Sequence, residues 1–335
     1  MQKAYYITKG LKGILKNILL FRGLRIPLFV HWSLTYKCNS QCKYCGVWRL
    51  ENKELDLKSI FFIIDCFWRL GTIGFSLSGG EPLLRDDIKD IIDFIAKKKI
   101  FVTINSNGRL VPKKINDLKN VNRVKLSFDG PEEIHNQLRG DDSFETLCKA
   151  TDALRENNIK FVFNTVISKY NLNHIDYILE FAHRLNTGVI FQPPTIGLLA
   201  INKERNLTVP DVNLYRKALD SLIAKKKSRI YFKVILNSLS SLHYLYNWPN
   251  ITKIPCKAGI FFCHIDSDGT PYPCNWWRSG EEKRQFYQRD IKNIANFFYE
   301  MISPRCNQCW CELSDINFLF SLNMESIINM LRTKM

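Results

Sequence analysis

The chain is 335 residues long, 46% apolar and 24% charged, with a net charge of +16. That balance excludes a disordered or fibrous chain and describes a globular one, with either a barrel-sized domain plus an appendage or two modest domains. No apolar run approaches the roughly 20 residues of a membrane-spanning helix, and Ile18-Leu-Leu-Phe21 is too short for a signal peptide, so the eleven cysteines read as metal ligands in a reducing cytoplasm rather than as disulfides.

The first predicted element is a basic amphipathic helix within residues 1–28. Lys3, Lys9, Lys12, Lys16, Arg22 and Arg25 occur there without an acid, and Leu11, Ile14, Leu15, Ile18 and Leu19 recur at helical spacing. Such a helix can lie on a membrane surface or dock on its own domain. The overall positive charge suits nucleic acid, anionic lipid or an acidic partner, and it also suits a composition that is simply rich in lysine.

A strand follows over Phe29–Tyr36, and directly after it comes Cys38-Asn-Ser-Gln-Cys42-Lys-Tyr-Cys45. This spacing places three thiols in one short loop. Structural zinc sites and iron–sulfur clusters usually take four protein ligands. Three cysteines without a local fourth point to a cluster with one iron left open, against the plainer alternatives of a zinc knuckle or buried thiols.

From there to residue 195 strands and helices alternate. Strands are expected over Ile73–Ser78, Ile100–Asn105, Arg123–Phe128, Lys160–Ile167 and Val189–Gln192. Helices are expected over Leu57–Arg69, Asp86–Lys98, Ser143–Asn157 and Leu172–Asn186, with a short one near Lys113–Lys119. Alternation with such crossovers predicts an α/β fold with a parallel sheet, here a partial (β/α)6 TIM-like barrel over residues 29–195. Chemistry in barrels sits at the C-terminal ends of the strands. Ser78-Gly79-Gly80-Glu81-Pro82, Asn105-Ser106-Asn107-Gly108, Ser127-Phe128-Asp129-Gly130 and Arg139-Gly140 all fall there. Paired glycines let backbone approach a ligand closely. The planar fork of Arg139 suits a carboxylate, while Asn107, Ser127 and Asp129 could equally cap turns.

The cysteine loop after the first strand and Gly79-Gly80-Glu81-Pro82 after the second together resemble the radical S-adenosylmethionine (SAM) superfamily. The resemblance implies an enzyme, an oxidoreductase or transferase, with a 4Fe-4S cluster on Cys38, Cys42 and Cys45 whose open iron takes the amino and carboxylate groups of SAM. Reductive cleavage then gives a 5′-deoxyadenosyl radical that abstracts hydrogen from a substrate. The resemblance further implies that Tyr44 lies against the adenine and that Gly79, Gly80 and Glu81 receive the ammonium. Asn107, Ser127, Asp129, Arg139 and Asn164 would complete the SAM site. A ferredoxin or flavodoxin is the implied electron donor, and a peptide, a small metabolite or a lipid the implied substrate.

Residues 196–255 read as a connector with helices over Asp211–Lys226 and Asn237–Asn247. Beyond it stand Cys256, Cys263, Cys274, Cys306, Cys309 and Cys311. Phe261–Ile265 and Pro271–Pro273 flank Asp266-Ser-Asp-Gly269, which predicts a hairpin, and a helix is expected over Ile291–Ile302. The stretch 256–335 resembles the SPASM/twitch extension of the same superfamily. Because no cysteine follows Cys311, the resemblance implies one auxiliary 4Fe-4S cluster, on Cys256, Cys274, Cys306 and Cys309. Cys263 or Cys311 can replace one of these, and a structural zinc ribbon is the alternative. Trp276, Trp277 and Trp310 would shield that cluster.

Cys66 and Cys148 fall on predicted helices as ordinary buried thiols. The six histidines form no ligand pair at helical spacing and read as structural or solvent-facing. No catalytic acid or base stands out, with Asp266 and Asp268 the nearest candidates. A non-catalytic iron–sulfur or zinc protein that binds nucleic acid would also explain the cysteines and the charge. It would have no need of Gly79-Gly80-Glu81 and Arg139, so no nucleic acid is expected.

Overall fold

The computed structural model describes residues 8, 27–51, 53–193, 208–250, 254, 256–274 and 313–333. Six strands run parallel in chain order: β1 (Phe29–Thr35), β2 (Gly74–Gly79), β3 (Phe101–Ser106), β4 (Arg123–Ser127), β5 (Phe161–Val166) and β6 (Val189–Gln192). Between them lie α1 (Leu57–Leu70), α2 (Ile88–Lys97), α3 (Glu132–Arg139), α4 (Ser143–Glu156) and α5 (Ile175–Arg184). Parallel neighbours need such crossovers, and the helices coat the outer face of the sheet.

The strand period of two sorts each side chain to the core or to the interior. In β1, Val30, Trp32 and Leu34 are each 1% exposed and join the main core, whereas Phe29 and His31 line an internal cavity. Helix α1 shows why its segment is helical. The Asp56 side chain accepts from the Ser59 amide at the start, and Gly71 ends the helix in the left-handed region. Ile60, Ile63, Ile64, Phe67 and Leu70 recur on one buried face. Burying each such side chain contributes about 1.5–3 kcal/mol.

The sheet is open. On the far side of β1, β7 (Phe262–Ile265) pairs parallel with it, from Phe29↔Phe262 to Trp32↔Ile265. The next strand, β8 (Pro271–Tyr272), pairs antiparallel with β7, so the order is β6-β5-β4-β3-β2-β1-β7-β8. The hairpin expected around the Asp-Gly turn is therefore an extension of the barrel sheet itself.

Helices α6 (Val212–Lys227), α7 (Leu239–Leu245), α8 (Leu313–Phe320) and α9 (Met324–Arg332) span the open side. Asn317 on α8 accepts from the Lys257 amide near β7 at 2.7 Å. On the β6 side, Asp315 accepts from the Ser238 amide, and Glu325 accepts from the amides of Leu239 and Ser240, each at 2.9 Å. Residues 1–7 and 9–26 of the basic N-terminal segment lie outside the described residues, as do the helix expected over Ile291–Ile302 and Cys306, Cys309, Cys311, Trp276, Trp277 and Trp310.

Candidate active site

Cys38, Cys42 and Cys45 leave the end of β1 as free thiols and line a cavity of about 1800 Å³ inside the barrel. Polar groups fix their loop from several sides. The Asn107 side-chain amide donates to Asn39 Oδ1 at 2.8 Å, to Ser40 Oγ at 3.1 Å and towards Cys38 Sγ at 3.9 Å. Arg109 Nε donates to Ser40 Oγ at 3.2 Å, and the Lys43 amide to the Leu138 carbonyl of α3 at 2.9 Å. Trp48 Nε1 closes the loop on the Cys45 carbonyl at 3.0 Å.

Among the described residues no three Cys, His, Asp or Glu side chains converge tightly enough to hold a single metal ion. Three free cysteine thiols are the donor type that an iron–sulfur cluster takes, so the residues present fit one. Burial pushes the Cys38 thiol up to about 12 and Cys42 to about 11, with Arg139 drawing Cys42 back down. The metal-free loop therefore holds Cys38 and Cys42 protonated, and ligation releases those protons.

The Gly-Gly turn ends β2 against the same loop. Gly79 adopts φ 126°, where a side chain is strained, and a Cβ there would stand 2.0 Å from the Thr35 carbonyl oxygen. At Gly80 a Cβ would stand 2.2 Å from the Lys37 oxygen. Both glycines line the cavity, and the Gly80 amide donates to the Thr35 carbonyl at 2.8 Å. Glu81 does not reach the cavity. It is fully buried, accepting from the Asn107 amide at 2.8 Å, Ser106 Oγ at 3.0 Å and the Leu83 amide at 3.2 Å. Burial pushes its carboxyl up to about 7 against those three donors. Glu81 thus ties the Gly-Gly turn to the Asn107 loop.

Asp129 is likewise fully buried, behind the cavity wall. Its Oδ2 accepts from Arg139 Nε at 2.6 Å and from the Tyr44 hydroxyl at 2.7 Å, and its Oδ1 from the Val166 amide at 3.3 Å. Arg139 lies over the Tyr44 ring, 5.4 Å from its centroid, and its Nη1 points at Cys42 Sγ, 3.8 Å away. Ser127 and Asn164 are paired neighbours on β4 and β5 and line the cavity. The structure thus brings Tyr44, Gly79, Gly80, Asn107, Ser127, Arg139 and Asn164 together with the three cysteines around one cavity, and sets Glu81 and Asp129 behind it as supports.

Two of the histidines, which the sequence places only as structural or solvent-facing, meet at the cavity. His31 Nδ1 lies 2.8 Å from His264 Nδ1 across the β1–β7 pair. His264 Nε2 lies 3.3 Å from Asp266 Oδ1, which also accepts from the Tyr36 hydroxyl. With a carboxylate at Nε2, a neutral His264 donates there and accepts at Nδ1 from the Nδ1–H of His31. Alternation along β1 places His31 inward, but only the β1–β7 pairing supplies its partner. Asp268 is a turn residue, accepting from the Thr270 amide at 2.9 Å. Cys256 and Cys274 pack in one small group with Ala258 and Phe262, while Cys263 belongs to the main core. Cys66 is buried, whereas Cys148 is only half-buried.

The family model of the radical SAM superfamily matches residues 32–182, which span the cysteine loop, the Gly-Gly turn and Arg139. The chain carries a radical SAM domain. That domain marks the chain as an enzyme and implies a 4Fe-4S cluster and SAM. An AdoMet-dependent heme synthase from Methanosarcina barkeri is 27% identical over 84% of this chain and 88% of that protein. The mycofactocin maturase MftC of Mycolicibacterium smegmatis is 28% identical over 76% of this chain and 65% of that protein. Streptococcus suis SuiB bound to S-adenosylmethionine shares the fold at a TM-score of 0.69 and 18% identity, over 85% of this chain and 69% of SuiB. The chain has no helix, among the described residues, long and apolar enough to cross a membrane.

Proposed function

We propose that Cys38, Cys42 and Cys45 hold a 4Fe-4S cluster with SAM beside it and that, when bound, the pair supplies a 5′-deoxyadenosyl radical that takes a hydrogen atom from a substrate in the barrel. One observation carries this reading: three free thiols, the Gly79–Gly80 turn and Arg139 line a single cavity. The turn offers backbone carbonyls to the SAM ammonium, held in place by Glu81. Arg139 offers a guanidinium edge to the methionine carboxylate, and Tyr44 a ring to the adenine. Ser127 and Asn164 offer hydrogen bonds on the adjacent wall.

The substrate reading stays at the level of class, a peptide or a small metabolite, with lipid as a further option. One set of relatives is named for heme and another for mycofactocin, and SuiB is seen bound to its precursor peptide SuiA. In this reading Cys256 and Cys274 join Cys306 and Cys309 on one auxiliary cluster within 256–335. The net charge of +16 favours docking of an acidic ferredoxin or flavodoxin as electron donor. The acid-free segment within 1–28 suits contact with anionic lipid, which co-sedimentation with anionic vesicles at low salt tests.

The deciding experiment is anaerobic. The protein is reconstituted with iron and sulfide, reduced with dithionite and given SAM, and 5′-deoxyadenosine is quantified. Its formation, with loss in Cys42→Ala, is expected. An iron-replete protein that makes none, even with cell extract as a source of substrate, would overturn the reading.

A further inference from the structure

The guanidinium of Arg139 has two partners that SAM recognition alone does not call for. Its Nε is committed to Asp129, and its Nη1 faces the sulfur of Cys42. Arg139 is 7% exposed, Asp129 is fully buried and Cys42 is 8% exposed, so the three groups meet where water screens poorly. Asp129 is itself fixed by Tyr44 and by the Val166 amide, and the Asn171 side chain holds its carbonyl at 3.0 Å. The Asp129 amide in turn donates to His135 Nδ1 at 3.2 Å. The arginine is therefore aimed by a built support rather than lying in the cavity as a mobile cation.

We infer that Arg139 is a positioning residue for the cluster itself: held by Asp129, it donates to the Cys42 thiolate and sets the reduction potential of the cluster that Cys38, Cys42 and Cys45 hold. This rests on the proposed function, since it presumes that cluster. Reduction adds one negative charge to the cluster. A donor and a cation at a ligand sulfur stabilise the reduced form more than the oxidised one, which raises the potential. Asp129 opposes this by neutralising part of the guanidinium charge. Arginine and aspartate thus act with opposite sign on one sulfur.

The opposite signs give the test. Wild type, Arg139→Gln, Arg139→Lys and Asp129→Asn are reconstituted, their iron and sulfide are counted, and the reduced cluster is titrated by its EPR signal against potential without SAM. Arg139→Gln is expected to shift the midpoint downwards, because it removes the donor and leaves the Asp129 carboxylate uncompensated. Asp129→Asn is expected to shift it upwards, and Arg139→Lys to fall between wild type and Arg139→Gln. A residue that merely stiffens the loop would move both substitutions the same way, so shifts of one sign overturn the inference. Midpoints for Arg139→Gln and Arg139→Lys that match wild type also overturn it and leave Arg139 to SAM alone. If Arg139→Gln fails to assemble a cluster, the lysine and asparagine variants still carry opposite expected signs. A wild-type chain that binds no cluster defeats the proposed function instead, so the two failures are distinguishable.

Discussion

Gly80 allows no side chain, because its missing Cβ leaves room for backbone rather than for a movable group. A Cβ there would meet the Lys37 oxygen at 2.2 Å and the Tyr36 oxygen at 2.6 Å. Relief requires breaking the hydrogen bonds from the Gly80 amide to the Thr35 carbonyl and from the Glu81 amide to the Lys37 carbonyl. Gly80→Ala is expected to cost about 1–3 kcal/mol in urea unfolding and to weaken SAM binding to the reconstituted protein at least about tenfold, about 1.4 kcal/mol. Binding by the variant within twofold of wild type would show that the turn is not a SAM cradle. Glu81 makes a second prediction. Its folded value of about 7 lies above its ordinary value, so the folded state favours the neutral acid. The stabilisation is complete below pH 4.5 and is lost as the pH rises through about 7, an effect of about 3 kcal/mol for this buried group. Unfolding free energy of the metal-free protein should fall over that interval, and Glu81→Gln should flatten the fall. Equal slopes in the two proteins would mean that Glu81 titrates elsewhere. The identities at this scale were legible in the sequence, because Cys38, Cys42, Cys45 and Gly79-Gly80-Glu81 sit in tight local spacing. Their partners were not, since Asp129 to Tyr44 and Arg139 to Cys42 are contacts made by folding.

Among the elements, strand and helix positions in the barrel were readable from periodicity, with β1 expected over Phe29–Tyr36 and found over Phe29–Thr35. Helix α3 was not read, because Ile134 and Leu138 are its only aliphatic residues. Its fences were present all the same, with Pro131 before it and Gly140 after it. That helix carries Arg139 and offers the Leu138 carbonyl to the cluster loop, so missing it hid how the arginine is aimed. The pairing of β7 with β1 has no local signature either, since strands distant in sequence choose their neighbours through the tertiary fold. The His31–His264–Asp266 chain exists only because of that pairing. His264→Phe keeps the ring but leaves Asp266 and His31 each short of a partner. A cost of about 1–3 kcal/mol is expected, seen as faster hydrogen exchange at residues 262–272 while the amides of β2–β5 keep their protection. Uniform loss of protection across the sheet would mean that the hairpin is not a separate cooperative unit.

At the scale of the whole molecule, an open sheet must be sealed, and here the seal is polar. Lys226 is fully buried, and its ammonium donates to the Phe232 carbonyl at 2.9 Å, the Ile235 carbonyl at 2.6 Å and Asn329 Oδ1 at 2.6 Å. It therefore ties α6 to α9 and to the chain beside β6. Burial pulls this lysine down to about 8 and pushes the nearby Asp315 up to about 6. The signs are opposite in pH. The folded state prefers neutral Asp315, so stability falls as the pH rises through about 6, and it prefers neutral Lys226, so stability recovers as the pH rises through about 8 and above. Between those values both groups are charged and the seal is at its weakest. Exchange of the α8 and α9 amides should accordingly be fastest relative to the β2–β5 core in that window, and Lys226→Met should abolish the recovery on the alkaline side. The methionine also leaves three buried acceptors without a donor, so the variant should be less stable than wild type by about 2–4 kcal/mol at neutral pH. A variant as stable as wild type, with an unchanged pH profile for α8 and α9, would show that apolar packing alone closes the barrel.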